Sequence, residues 1–344
     1  MIKDIPTDTH KRLIKFQDAG VGLKGFIAIH NTNLGPAAGG TRFKTYSNDN
    51  EAIQDALSLS KAMTYKCALA GVPYGGGKAV IIDSGKKDKE LFESYARVVN
   101  YIKGQFMTGK DAGIGDREIN YMSDICPYIS SYVGSEDPSV YASLGVFSAM
   151  KSVLKKVYGG TSMDKIKVSI KGLGKVGFEL ARIVYEAGGR LVVADVDEER
   201  LKMAEEKFKG IKIVSPDEIH KIKSNIYAPC ALGNEFSEQN IKEINALVIC
   251  GGANNQLSSP SIGRKLMDRG IVYVPDYVAN AGGLIAVVDG FQHKKFSSDR
   301  VKMNLRVIED NVSKVLEISS LQNRPTHEIA DELAENRFNI KINR

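Results

Sequence analysis

The order of apolar and polar positions divides this chain into two textures. In the first, strand and helix patterns are mixed. Residues 1–22 are polar and are expected to be helical in part. Positions 22–30 (GLKGFIAIH) alternate as a strand and run into a loop over 31–36. From about 48 the pattern turns helical: Ala52, Ile53, Ala56, Leu57, Leu59, Ser60 and Met63 recur with a period near 3.6. That helix is expected to run out near Lys66. The apolar run 79–82 reads as a buried strand opened by Lys78, a helix is predicted over about 87–101, and 106–108 reads as a short strand. The second texture begins near 137–139. A helix over about 143–158 precedes short apolar strands at 167–171, 191–194, 225–228, 246–250 and 271–274, with a helix over 178–187 between the first two. Helices over about 299–320 and 326–338 close the chain. This is an α/β pattern.

Composition narrows the picture. A chain of 344 residues exceeds what one core usually supports, so two domains are expected. Apolar content of 43% with 26% charged residues describes an ordinary globular protein. The net charge of +6 is spread along the chain without a basic block, which argues against a nucleic-acid partner. No apolar run reaches the roughly eighteen residues of a membrane span, and the N-terminus lacks the apolar core of a secretory leader. Cys67, Cys126, Cys230 and Cys250 show no CxxC spacing and no pairing with histidine. Reduced thiols, no metal and a cytoplasmic setting are therefore expected.

Candidate chemistry begins with Lys66 and Lys78, twelve residues apart around Gly75-Gly76-Gly77. Lysine is rarely buried without a partner, so a lysine opening a core strand invites a functional reading. The segment 71–79 imitates a phosphate-binding loop, but Val72 stands where the first glycine belongs and Ala79 offers magnesium no hydroxyl. It also precedes a strand, where a phosphate loop precedes a helix. Gly39-Gly40 suits a turn, the commoner explanation, or close approach to an anion. Asp111, between glycines at a strand end, is positioned to face a cleft.

The second half carries a stronger signal. The strand 167–171 feeds Gly172-Leu173-Gly174-Lys175-Val176-Gly177, a GxGxxG, then a helix, and a second strand that ends in Asp195, 21 residues after Gly174. Together these are the parts of a dinucleotide fold. The glycines permit the tight turn, and helix N-terminal amides, those of Lys175 and Val176 among them, can reach a pyrophosphate. Asp195 would accept hydrogen bonds from ribose hydroxyls. With Asp197 and Glu198 it would repel a 2′-phosphate, which favours NAD over NADP. Loops holding Cys230 and Ala231, Ala253 and Asn254, and Asn280 follow later strands, where such sheets bind ligands.

Seven segments in order now give the chain a family likeness: LGPAAGGTRF (34–43), MTYKCALAGVPYGGGKAVI (63–81), TGKDAG (108–113), KGLGKVG (171–177), IYAPCALG (226–233), GGANNQL (251–257) and GIVYVPDYVANAGG (270–283). The chain resembles the glutamate/leucine/phenylalanine/valine dehydrogenase family over nearly its whole length, the leucine and phenylalanine dehydrogenases above all. The resemblance implies an N-terminal α/β substrate domain and a C-terminal Rossmann-type NAD-binding domain, with the active-site cleft between them. Residues 1–134 would form the substrate-binding, catalytic and oligomerisation domain and 135–322 the NAD-binding domain, with 323–344 packing back onto the first. It implies reversible oxidative deamination of an apolar L-amino acid to a 2-oxo acid and ammonia, in a homo-oligomer between a dimer and an octamer. The alternatives are a glutamate or other amino acid dehydrogenase of the same family, or a non-catalytic NAD-binding regulator.

Carried over by position, Lys66 matches the lysine that pairs with the substrate carboxylate, helped by the Gly39-Gly40 backbone. Lys78 matches the catalytic lysine, Asp111 the acid that exchanges protons with the amino group, and Asn280 an amide near the substrate carboxylate. The chain departs from the pattern in two ways. Ala142 stands where relatives often place a nicotinamide-holding threonine, and whether neighbouring Ser143 takes that role stays open. Ala38 and Gly109 are smaller than the leucine and alanine usual in leucine dehydrogenases, which leans the substrate toward aromatic side chains. Leu305 and Ile308 are expected at the other wall of that pocket.

Overall fold

The computed structural model describes residues 1–129, 137–293 and 296–339. The chain forms two compact units, one from Met1–Ser135, Gly290–Lys294 and Ala334–Arg344, the other from Glu136–Asp289 and Lys295–Leu333. The boundary expected at 134/135 lies outside the described residues. Among the described residues no helix is long and apolar enough to cross a membrane.

The first unit is built on strands β1 (Ile2–Ile5), β2 (Arg12–Asp18), β3 (Leu23–Asn31), β4 (Ala37–Lys44), β5 (Gly75–Ile82) and β6 (Phe106–Lys110), in the order β1-β2-β3-β5-β4-β6. β4 runs parallel to both β5 and β6, and the remaining pairs are antiparallel. The polar stretch 1–22, expected to be helical in part, is a pair of strands. Its side chains serve both faces of the sheet: Leu13 joins one core cluster, Ile14 and Phe16 the other. Phe16 registers opposite Gly25, where a Cβ would lie 2.5 Å from its ring. Cross-strand fit of this kind overrides local propensity.

Helix α1 (Asp49–Ala70) covers one face of the sheet, and α2 (Lys89–Tyr101) and α3 (Asp116–Ser123) cover the other. The Asn48 side chain caps the first turn of α1 by accepting from the Glu51 amide at 3.0 Å. The helix closes at Gly71, φ 68°, five residues beyond Lys66, so Lys66 lies within its last turns. The triple glycine is also inside an element: β5 includes it, and Lys78 sits in mid-strand. The end of α12 (Thr326–Phe338) returns to this unit, where Arg337 donates to the carbonyls of Ala68 and Leu69 at 3.1 and 3.2 Å and Glu335 accepts from Tyr65 Oη at 2.6 Å.

The second unit holds a fully parallel sheet in the order β12-β11-β10-β7-β8-β9: β7 (Lys167–Lys171), β8 (Arg190–Ala194), β9 (Lys212–Ile213), β10 (Ser224–Pro229), β11 (Ala246–Ile249) and β12 (Val272–Tyr273). The chain moves outward from β7 in both directions, so its switch point lies between β7 and β10. Its helices are α4 (Pro138–Tyr158), α5 (Lys175–Glu186), α6 (Glu198–Lys207), α7 (Pro260–Asp268), α8 (Asp276–Ala279), α9 (Gly282–Gln292), α10 (Ser298–Asn304) and α11 (Arg306–Gln322). The helix expected over 299–320 is thus two, interrupted at Leu305. The stretch around Asn280, read as a loop, joins α8 to α9.

His30, at the end of β3, stands beside Thr64 Oγ1 at 2.8 Å and packs edge-on against His10 and Phe338. Burial, with His10 and Lys61 nearby, pushes its pKa down to about 4. The unfolded chain therefore binds more protons between the ordinary histidine value and about 4. Stability is full above that window and falls as the pH drops through it. Thermal unfolding from pH 7 to 4.5 should show the melting temperature falling more steeply for the parent than for His30→Asn; equal slopes would refute the assignment.

Candidate active site

Strand periodicity assembles the first group of candidates. On β5, Gly75, Gly77, Ala79 and Ile81 alternate with Gly76, Lys78, Val80 and Ile82; Ala79 and Ile81 join the α2-side core and Val80 the α1-side core. Lys78 therefore points to the α1 side. On β4, Phe43 joins the α2-side core and Thr41 bonds Tyr95 of α2, which places Ala38, Gly40 and Arg42 on the α1 side. β6 pairs with β4 and ends just before Asp111.

The acid reaches this face through a tight turn. Gly113 has φ 78° and lies where a Cβ would stand 2.1 Å from the Phe43 carbonyl, while the Phe43 amide donates to Ala112 O at 2.9 Å. Asp111 Oδ1 then lies 2.7 Å from Lys78 Nζ, and Asp111 Oδ2 accepts from Arg42 Nε at 2.7 Å. Arg42 Nη1 donates to both oxygens of Asp55 on α1 at 3.1 and 3.0 Å, and Tyr46 Oη donates to Asp55 Oδ2 at 2.7 Å.

Lys78 is 4% exposed. Burial depresses its pKa, the Asp111 carboxylate opposes that effect, and Arg42 reinforces it; the direction is downward. Burial alone would raise the Asp111 carboxyl, but Lys78 and Arg42 together hold it below the ordinary carboxylate range. The pair is thus a hindered ammonium, primed to lose its proton, against an ionised acid.

Gly39-Gly40 is not a turn but part of β4, half-exposed in an otherwise mostly buried strand. The β4–β5 ladder registers Ala38 with Gly76 and resumes at Thr41 with Ala79, skipping the two glycines. A Cβ on Gly39 would sit 1.7 Å from Gly77 O, and one on Gly76 would sit 2.2 Å from Thr64 N of α1. The glycines let the backbones and α1 crowd together. Lys66, half-buried, follows Thr64 in the same turn of α1. Ala38 and Gly109 are both buried.

The second unit presents the other candidates. Gly172, φ 95°, ends β7, and its amide donates to Ala194 O at 2.7 Å. A Cβ there would meet Ala231 N at 2.8 Å, and one on Gly177 would sit 1.9 Å from Gly172 O. Beside Gly174, the N-cap of α5, a Cβ would meet nothing within 4 Å, and no side chain caps the helix. That open cradle before uncapped amides fits a pyrophosphate. Lys175 is itself exposed and reaches Asp137 at 2.7 Å, while Val176 and Cys230 are half-buried and Ala253 is buried. Asp195 accepts from the Leu173 amide and from the Asp197 amide at 2.9 Å. Each oxygen keeps a lone pair for a further donor. Asn280, 4% exposed, donates to Gly252 O at 3.1 Å and Asn254 Oδ1 at 2.8 Å, while its own Oδ1 has no partner among the described residues. A buried acceptor of that kind has room for a donor from a water or a ligand.

Ser143 is fully buried, with its hydroxyl 2.9 Å from the carbonyls of both Ser139 and Val176. Leu305 and Ile308 are buried, as Ala38 and Gly109 are, and their side chains pack where Cβ atoms on Gly282 and Gly145 would lie. Arg42 had no assigned role; an arginine inside a core strand is itself a signal, because such a charge needs partners. Among the described residues no group of His, Cys, Asp and Glu could hold a metal ion.

Comparison with known proteins gives the family. Residues 10–128 match the family model "Glu/Leu/Phe/Val dehydrogenase, dimerisation domain", and residues 193–338 match "Glutamate/Leucine/Phenylalanine/Valine dehydrogenase". The chain is similar to leucine dehydrogenase of Geobacillus stearothermophilus, at 40% identity over 98% of this chain and 93% of that protein. It is 38% identical to phenylalanine dehydrogenase of Thermoactinomyces intermedius over 96% of this chain and 91% of that one. Among solved structures, L-tryptophan dehydrogenase from Nostoc punctiforme superposes with a TM-score of 0.87 at 36% identity, covering 97% of each chain.

The crowding at Gly39 sets a test. Ordinary overpacking costs about 1–3 kcal/mol, and a Cβ at Gly39 meets rigid backbone. Gly39→Ala should lose at least the upper end of that range in a denaturant titration. Gly160→Ala, whose Cβ meets nothing within 4 Å, should not. Equal stability of the two variants would refute the crowding.

Proposed function

Because the chain belongs to the glutamate/leucine/phenylalanine/valine dehydrogenase family and is an amino acid dehydrogenase, we propose that it catalyses NAD-dependent, reversible oxidative deamination of an apolar L-amino acid to the 2-oxo acid and ammonia. The observation that carries this reading is the buried Lys78 amine 2.7 Å from Asp111. Lys66 binds the substrate carboxylate with the Gly39-Gly40 backbone, and Asn280 offers its unpartnered oxygen to a substrate donor. Gly172, Gly174, Lys175, Val176 and Gly177 hold the coenzyme pyrophosphate and Asp195 its ribose. Cys230, Ala231, Ala253 and Asn254 line the coenzyme site with Asn280. Arg200 is the cation beside Asp195 and Asp197, at 3.8 and 3.2 Å. With Glu198 the group stays net negative, which supports NAD over NADP.

Bound NAD would take the hydride from the substrate Cα and leave a cationic imine on the substrate. Lys78, with its neutral form favoured by burial, takes a proton from the water that attacks the imine carbon. Asp111 exchanges protons with the nitrogen as the carbinolamine C–N bond breaks and ammonia leaves. In reverse the same two groups return those protons. Ala38 and Gly109 leave room for a side chain at least as large as leucine and lean the preference toward aromatic ones. Neither offers a charge to a γ-carboxylate. The active form is proposed as a cytoplasmic homo-oligomer.

A panel of L-amino acids assayed with NAD and with NADP tests the reading. Apolar substrates with NAD should lead, phenylalanine at least matching leucine. Leucine far ahead would end the aromatic lean, and glutamate ahead would overturn the pocket assignment. In the same assay Lys78→Ala should lose roughly 10²-fold or more in turnover while still binding NAD; unchanged activity would refute the mechanism.

A further inference from the structure

The paired lysine and acid do not stand alone. Four hydrogen-bonded or ion-paired links run from β5 to the segment after β4: Lys78 to Asp111 at 2.7 Å, Asp111 to Arg42 at 2.7 Å, Arg42 to Asp55 at 3.0 Å and Asp55 to Tyr46 at 2.7 Å. The charges alternate along it. Arg42 and Asp55 have side-chain exposures of 22% and 24%, so solvent screens them only in part.

We propose that Arg42 and Asp55 are positioning residues for deamination, Arg42 fixing the Asp111 carboxylate opposite Lys78 and Asp55 anchoring and balancing Arg42. This rests on the reading of Lys78 and Asp111 as the proton-transfer pair. Its logic is one of charge bookkeeping during turnover. When Lys78 gives up its proton, Asp111 loses a cation 2.7 Å away. A carboxylate left that way in a partly buried site would tend to take up a proton itself. Arg42 cannot deprotonate, so it keeps a cation on the other oxygen throughout the cycle. The arginine fork also suits the geometry: Nε serves Asp111 while Nη1 serves Asp55. An unbalanced Arg42 would repel the Lys78 ammonium, and Asp55 offsets that repulsion.

The charged groups acting on Lys78 from the packed elements of its unit are Asp111 after β6, Arg42 on β4 and Asp55 on α1. Farther out, Lys44 lies 5.2 Å from the Tyr46 ring and Glu51 accepts from the Ser47 amide. Lys110 pairs away with Asp116.

The test is the pH dependence of kcat/KM for oxidative deamination in the full-length enzyme, whose rising limb reports the loss of the Lys78 proton. Removing the cation in Arg42→Gln should move that limb to higher pH. Removing the anion in Asp55→Asn should move it to lower pH. Arg42→Lys keeps the charge but not the fork, so its limb should stay near the parent's while kcat falls. Opposite displacement of one limb by two neighbours is not what a merely structural role produces. Limbs that stay put, or move the same way, in folded variants overturn the proposal. If Arg42→Gln does not fold, Arg42→Lys decides alone, and parent-like kcat overturns it. Asp111→Asn separates the two levels. Full activity there refutes the proton-transfer reading itself, whereas an inactive Asp111→Asn beside unmoved limbs refutes only the roles of Arg42 and Asp55.

Discussion

Much of the first unit is arranged around one costly act, the burial of a lysine amine in the middle of a strand. An ammonium out of water is destabilising by several kcal/mol unless paired. The chain answers with Asp111 at 2.7 Å, and places Arg42 on the far side of that carboxylate. The result is a pair whose two members are both displaced from solution behaviour. Lys78 is eased toward its neutral form and Asp111 is held ionised. Perturbed pairs of this kind cluster at functional sites, and here Lys78 in mid-β5 meets Asp111 just beyond the C-terminal end of β6.

Glycine makes that arrangement possible. Three strands and a helix converge around Lys78, and backbone occupies the space where side chains at Gly39 and Gly76 would be. The second unit uses glycine differently. Around Gly174 the missing side chain leaves open space in front of helix amides, whereas Gly177 lets α5 approach the end of β7. One set of glycines compresses protein against protein; the other leaves room for a ligand.

The second unit was largely legible from sequence. Its short apolar strands, each closed by small residues, and the GxGxxG between β7 and α5 are local signals with little competition. Helices α3, α6 and α7 are short, at 8, 10 and 9 residues, and were not anticipated. The N-terminal strands were misread because their burial depends on partners, such as Gly25 across from Phe16, that periodicity cannot supply. Lys66, Lys78 and Asp111 stood out by residue type and by family likeness. The bond between Arg42 and Asp55 did not, since the two come together only when a strand and the following helix pack. Ser143 shows the same limit: its position in sequence does not reveal that its hydroxyl bonds the carbonyls of Ser139 and Val176.

The proposed deamination depends on Lys78 losing its proton more readily than an ordinary lysine. Competitive labelling of amines with an acylating reagent, quantified by mass spectrometry across a pH series, reads the titration of each lysine in the intact protein. Lys78 should titrate below the exposed lysines in the parent and lower still in Asp111→Asn, where its stabilising anion is gone. A Lys78 that titrates with the exposed lysines, unmoved by loss of the Asp111 charge, would contradict the central claim.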